Sequence, residues 1–367
     1  MRLFFNYHLS ANKVKEYLKR TICQLCILLP GCSLLALPAH GQAQAVILQY
    51  HHVSTDTPAS TSISPEHFQN HISYLRENNF NIMRLEDVLN SLQSGGQLPD
   101  KTAVITFDDA YQSIYTHAFP VLKEAKWPFT IFVSTGQVSA YSESFLSWEQ
   151  LRELGSHGAT LANHTVNHPY LLSKNEEESP EEWLNRINDE IINAEEVIKK
   201  ETGQSHRLLA YPYGEYNPDI QQLVSNLGFS AFGQQSGPIN ENSDFTALPR
   251  FPLSGIYTSM DTFSVKMQSL AFPSVTVVPE SPIIEFSSPS VELTFDTSSI
   301  NTSFNIEQIN CFHNNQAMTL EITNNKVRLN SPTQSTGRRF RYNCTAPGGS
   351  GRFYWYSKQW INPAISE

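Results

Sequence analysis

At 367 residues the chain is long enough for two domains beyond any targeting segment, and 35 acidic against 25 basic side chains leave a net charge of −10. The acid excess sits in residues 46–274, which carry 27 Asp and Glu against 13 Lys and Arg; residues 275–367 carry seven of each. An acidic body with no basic run argues against nucleic acid and anionic membrane surfaces as partners, and leaves neutral or cationic substrates.

Residues 1–45 read as a signal peptide. Lys13, Lys15, Lys19 and Arg20 precede an apolar run over 22–37, and small residues at 39–45 follow where a signal peptidase would cut. Pro30, Gly31 and Cys32 interrupt the run, which is short for a spanning helix. Leu29-Pro30-Gly31-Cys32 faintly resembles a lipoprotein signal with Cys32 lipidated, although Pro30 fits that pattern poorly. Cys23, Cys26 and Cys32 all fall in this leader. The remaining pair, Cys311 and Cys344, suggests one disulfide in an oxidising compartment, so the chain is expected to be periplasmic or secreted, with envelope association open.

From residue 46 onward, strand-like and helix-like stretches alternate. Apolar 46–50 runs into His51-His52-Val53. A helix is expected over 65–78, with Ser64 as N-cap, Pro65 at its first position and Phe68, Ile72 and Leu75 at helical spacing. A second short helix, 85–92, closes at Gly95-Gly96. Ala103-Val104-Ile105 then reads as a buried strand leading to Thr106-Phe107-Asp108-Asp109. Two adjacent carboxylates at the end of a buried strand need a partner or a metal. Successive strand side chains point to opposite sides, so one Asp can face a cation while its neighbour faces a substrate water. The plainer alternative is that Asp109 caps a helix beginning near Tyr111.

A helix around 111–125, a strand at 129–133 and a helix capped by Ser147 come next. Residues 159–162 form another short strand, followed by Asn163-His164-Thr165-Val166-Asn167-His168. On a helical turn the i, i+4 spacing puts both imidazoles on one face. Two neutral imidazoles with one carboxylate are a typical ligand set for catalytic zinc; surface or capping histidines are the alternative. Residues 174–202 read as a long acidic helix, opened by Ser179-Pro180, stopped by Gly203, with Glu176-Glu177-Glu178 as its solvated start. A strand at 208–211, Pro212-Tyr213-Gly214, a helix at 218–227 and strands at 228–232 and 247–251 complete the alternation. It implies a parallel sheet with crossover helices, closed into a barrel over 46–273.

After about Pro273 short alternating runs at 275–278, 291–295, 317–322 and 352–356 replace helices. They predict a small antiparallel β-sandwich over 274–367, held by Cys311–Cys344. Tyr354, Trp355, Tyr356 and Trp360 offer either a sugar-stacking face or core packing, and strand alternation sends Trp355 and Tyr356 to opposite sides.

Thr106-Phe107-Asp108-Asp109, His164-Thr165-x-x-His168 and Tyr211-Pro212-Tyr213-Gly214 resemble, in order and spacing, three motifs of the polysaccharide deacetylases, the NodB-like carbohydrate esterases. The resemblance covers roughly 46–273. It implies a distorted (β/α) barrel with a metal site at the strand C-termini, and removal of N-acetyl groups from N-acetylglucosamine-containing polysaccharide or oligosaccharide. It further implies that Asp109, His164 and His168 bind a divalent ion, zinc first, with cobalt and nickel open. Asp108 would be the general base, Thr165 would support the second histidine or help bind acetate, and Tyr213 would give a backbone N–H to the oxyanion. Tyr50-His51-His52-Val53 and Ser147-Trp148-Glu149-Gln150-Leu151 resemble the poly-N-acetylglucosamine deacetylase branch. There a His after the first strand protonates the leaving amine; His51 is the candidate, and Trp148 is either a wall of the sugar pocket or a core residue.

The chain departs from the pattern in two ways. Ala210 stands where many members have an Arg that pairs with the base; Arg250 could take over by folding back, or form a rim salt bridge. The C-terminal β region is also not the large second hydrolase domain of Gram-negative exopolysaccharide deacetylases. An O-acetyl esterase using the same site, or an inactive sugar-binding protein on the same barrel, stays open.

Overall fold

The computed structural model describes residues 43–140, 143–272, 274–284, 290–295, 304–330, 335 and 337–366. The leader, with Cys32, lies outside them up to residue 42. Strand β1 (Gln44–Tyr50) begins at Gln44, two residues ahead of the apolar run at 46–50. It is followed in the sheet by β2 (Thr102–Phe107), β3 (Phe129–Val133), β4 (Ala159–Asn163), β5 (Leu208–Ala210) and β6 (Ser230–Phe232), each parallel to the next. Parallel strands covered on both faces must be apolar throughout, and β2 is buried along its whole length.

The sheet curls until its edges are bridged by residues 245–253. Ala231 and Gly233 donate to the carbonyls of Phe245 and Leu248, and Leu253 donates to that of Gln49. Strand β7 (Phe251–Pro252) pairs in parallel with β1. This makes a distorted (β/α) barrel. The strand expected at 247–251 shrinks to two residues, because Pro249 and Pro252 cannot donate to a ladder.

Helices begin where their caps are written. Ser64 accepts the His67 N–H ahead of Pro65–Glu77, and capping boxes Ser147/Gln150 and Ser179/Glu182 open Trp148–Ser156 and Pro180–Thr202. Gly203, at φ 77, ends the long helix. That helix starts after Glu176–Glu178, which are not its first turn; Glu178 instead pairs with Arg186 at 2.7 Å. The helix expected from Tyr111 also starts late. Asp109 and Ala110 sit at φ 71 and 59, so the chain leaves β2 through left-handed backbone and Asp109 caps nothing. A wide turn over Ile114–Ala118 precedes the helix Phe119–Ala125.

Barrel and C-terminal sheets share one compact unit. One sheet holds Ser269–Ala271, Phe353–Ile361, Arg339–Pro347, Asn310–His313 and Gln316–Ala317, and the other holds Val275–Val278, Val291–Phe295, Lys326–Asn330 and Thr319–Thr323. Between them Leu293, Phe295 and Leu329 meet Phe340, Tyr342 and Trp360. Ser269–Ala271 lies before the composition change at Pro273, yet already pairs with Phe353–Ile361. The aromatic row is largely packing: Trp360 is in the sandwich core, and Trp355 meets Phe251 edge-on at 5.4 Å.

Cys311 and Cys344 are direct cross-strand partners and form the expected disulfide. Closing a loop of this length stabilises the fold by about 3 kcal/mol on the loop-entropy account. A Cys311→Ala/Cys344→Ala variant should therefore lose about 3 kcal/mol in urea unfolding; a loss near zero would mean the sheet alone holds these strands.

Candidate active site

Asp108 continues β2 by one residue, its N–H donating to Tyr50 O at 2.9 Å, and its carboxylate is fully buried. An ion in that position is costly unless it is paired. Arg250 supplies the pair as a fork, Nη1 to Oδ1 at 2.7 Å and Nη2 to Oδ2 at 2.8 Å. Gln49 on β1 adds a third hydrogen bond at 2.7 Å. The guanidinium is itself sealed in, lying 5.2 Å from the Phe132 ring and donating Nε to Gly233 O. Burial pushes the Asp108 carboxyl up, but Arg250, His164 and His51 outweigh it and bring its pKa down to about 2.

Asp109 turns the other way. Its Oδ1 lies 3.3 Å from His164 Nε2 and 3.4 Å from His168 Nε2. One ligand atom from each of the three falls within 4.8 Å of the others. His164 Nδ1 sits 2.7 Å from Ala210 O; a carbonyl only accepts, so Nδ1 carries a hydrogen and Nε2 is the atom turned to Asp109. Burial pushes the His164 pKa down, but the hydrogen bond to Asp109 and the two carboxylates outweigh it and raise it. Burial, then the neighbouring His164, lowers the His168 pKa to about 4, which keeps that ring neutral at pH 7. Two imidazole nitrogens and one carboxylate oxygen are a donor set that fits a divalent ion, which takes the place of the proton on His164 when it binds.

Residues 95–232 match the polysaccharide deacetylase family model. The chain carries a polysaccharide deacetylase domain. It is similar to the poly-β-1,6-N-acetyl-D-glucosamine N-deacetylase of Escherichia coli K12, at 25% identity over 240 residues covering 56% of this chain and 36% of the relative. A Staphylococcus aureus enzyme of the same name is 26% identical, with 60% of this chain and 79% of the relative covered. The structure of IcaB from Ammonifex degensii superposes with a TM-score of 0.55 at 28% identity, over 62% of this chain and 98% of that one. The chain thus spans about a third of the length of the first of these relatives.

The deacetylase domain presents His164 and His168 from a loop, not from a helical turn. Thr165 and His168 have φ of 66 and 54, and the loop is tied down from outside. Asn163 accepts the Thr165 N–H, and Thr165 Oγ1 accepts the His168 N–H. Glu190, on the long helix, accepts the N–H groups of Val166 and Asn167. The i, i+4 spacing converges because these bonds fold the loop back, with imidazole centroids 4.7 Å apart.

The other residues singled out from sequence are spread around this centre. His51 Nε2 lies 3.8 Å from Asp108 Oδ2. His52 turns away and stacks on Tyr111 at 3.5 Å, and the Tyr111 hydroxyl is in hydrogen-bonding reach of Asp109. Tyr213, at φ 58, places its ring 4.5 Å from His168 and stacks on Tyr170 at 4.0 Å. Gly214 follows at φ 70, where a Cβ would come within 2.8 Å of Gln234. Trp148 packs against the barrel core and donates to Ser139 at 3.3 Å.

Sequence reasoning missed Gln49, Tyr111, Glu190 and Glu215. A Gln inside the apolar run of a buried strand was a readable signal, since a buried amide needs a partner. Glu215 gave none. It is fully buried below the Tyr213 turn and takes Arg338 as a fork at 2.6 and 2.7 Å, plus Arg339 at 2.7 Å, all from the sandwich.

Because its folded pKa is depressed from 3.8 to about 2, Asp108 stabilises the fold fully above pH 4 and loses that contribution as pH falls toward 2. Arg250→Ala leaves the buried carboxylate unpaired and should cost about 3–5 kcal/mol at pH 7. Burial then favours the protonated form, so the sign reverses and the penalty shrinks on acidifying to pH 4. Urea unfolding at the two pH values reads this; equal penalties at both would contradict it.

Proposed function

We propose that the protein is a metal-dependent hydrolase that removes N-acetyl groups from N-acetylglucosamine-containing polysaccharide or oligosaccharide. The observation that carries this is the convergence of Asp109, His164 and His168 within 4.8 Å, beside an ionised Asp108 held by Arg250. The naming of the Escherichia coli and Staphylococcus aureus relatives as N-deacetylases supports the N-acetyl glycan as partner.

Asp109, His164 and His168 would hold a divalent ion, zinc being the first choice for this donor set and cobalt or nickel the next. Such an ion supplies Lewis-acid polarisation of the acetamide carbonyl and a more acidic water. Asp108 accepts the proton of the attacking water, and Arg250 and Gln49 fix the carboxylate for that transfer. The Tyr213 backbone N–H donates to the oxyanion as charge develops there. His51, on the Asp108 side of the site, gives a proton to the leaving amine so that it departs neutral. Thr165 holds the His168 backbone in place. The disulfide in the sandwich fits an exported protein, periplasmic or secreted.

Asp108→Asn should lower acetate release from N-acetylglucosamine oligomers by about 10²–10⁴-fold while bound metal, read by elemental analysis, stays at the wild-type ratio. His51→Gln should lower kcat by a similar factor with metal binding unchanged. His164→Ala should lose metal and activity together. Release from acetylated xylan but not from the amino-sugar oligomers would replace this reading with an O-acetyl esterase.

A further inference from the structure

A cavity of about 660 Å³ opens between the barrel and the sandwich. The strand Arg339–Pro347 forms its far wall. Along that strand Phe340, Tyr342 and Cys344 enter the sandwich core, so Arg339, Arg341 and Asn343 project from its opposite face, toward the barrel. From the barrel side Tyr257, Val265 and Lys266 face them.

The charges in this cavity do not cancel. Glu215 is already shared by Arg338 and Arg339. Arg341 donates Nη1 to the Gln234 carbonyl at 2.8 Å, and among the described residues no carboxylate lies within ion-pair reach of it. Lys266, almost fully buried, donates to the carbonyls of Pro252 and Tyr257 at 3.2 and 3.4 Å. Asp261 is the one carboxylate among the described lining residues. Burial first, and Arg341 second, lower the Lys266 pKa to about 7. Two cations that repel each other across a half-dry space gain from an anion placed between them. The excess is the more pointed because residues 46–274 as a whole are strongly acidic.

The cavity shares one wall residue with the surroundings of the catalytic centre. Arg339 lines it, and the same guanidinium lies 5.3 Å over the ring of Tyr213, which in turn touches His168. Tyr257, Val265 and Phe312 expose 46%, 42% and 36% of their surface at its edge, giving apolar area on which sugar faces can rest.

We propose that this cavity binds an anionic group, a carboxylate or a phosphate ester, carried by another sugar of the glycan that is deacetylated, with Arg341 and Lys266 as its contacts. The inference rests on the glycan reading of the catalytic centre and narrows the substrate to an acidic glycan.

The test uses the full chain with Asp108→Asn, so that binding is read without turnover. Calorimetry compares three N-acetylglucosamine oligomers of equal length: neutral, 6-O-carboxymethylated and 6-phosphorylated. At least one acidic form should bind about tenfold more tightly than the neutral one, the worth of one charge-assisted hydrogen bond, and the tighter of the two identifies the group. That gain should fall below about twofold when Arg341→Gln or Lys266→Gln is added. If Arg341→Gln does not fold, as judged by circular dichroism, Lys266→Gln carries the comparison. Equal binding of all three oligomers, or a gain that survives both substitutions, overturns the proposal. A wild-type chain that releases no acetate from any oligomer would overturn the deacetylase reading instead, and leaves the binding comparison intact.

Discussion

An ionised carboxylate inside a closed barrel needs a cation of matching shape, and the rest of this site follows from how Asp108 obtains one. Arg250 comes from residues 245–253, the stretch that joins the two edges of the curled sheet. The segment that closes the barrel therefore also supplies the main cation for Asp108. Phe132 and Phe232 line the guanidinium and keep water from screening the pair. Ala210, at the end of β5, gives the pair no side chain; its backbone carbonyl orients His164 instead.

The ligand cluster is assembled from strained backbone more than from regular structure. Asp109, Ala110, Thr165, His168 and Tyr213 all have positive φ without being glycine. Each such residue costs on the order of 1–3 kcal/mol and persists only where its surroundings over-determine it. The surroundings here are specific: Asn163 and Glu190 hold the histidine loop, and Gly136, in the helix Thr135–Ala140, comes close enough to Val166 to donate to its carbonyl. From the other side the sandwich reaches under the Tyr213 turn through Arg338, Arg339 and Gln359. The C-terminal sheets are thus part of the scaffold of the site.

What could be read in advance divides along the same line. Asp108, Asp109, His164 and His168 were legible because each pair follows a short apolar strand, where polar groups must have a purpose. Their local backbone was not. The histidine spacing suggested a helical turn and Asp109 suggested a cap, since propensity describes the commonest conformation and these positions adopt the rare one. Arg250 was legible through the absence of an Arg at position 210. The Glu215–Arg338–Arg339 cluster was not, because partners about 123 residues apart leave no periodic trace. In the sandwich the strands at 310–313, 326–330 and 339–347 went unread; they are short or alternate with charged residues, which blurs the period-two signal.

The central claim is the ligand set, and the X-ray absorption spectrum of the protein loaded with one equivalent of zinc tests it most directly. The account predicts a first shell containing two imidazole nitrogens and carboxylate oxygen at about 2.0–2.2 Å, with the imidazole scattering reduced by half in His168→Ala. A shell of oxygen alone, or one unchanged by that substitution, would contradict it.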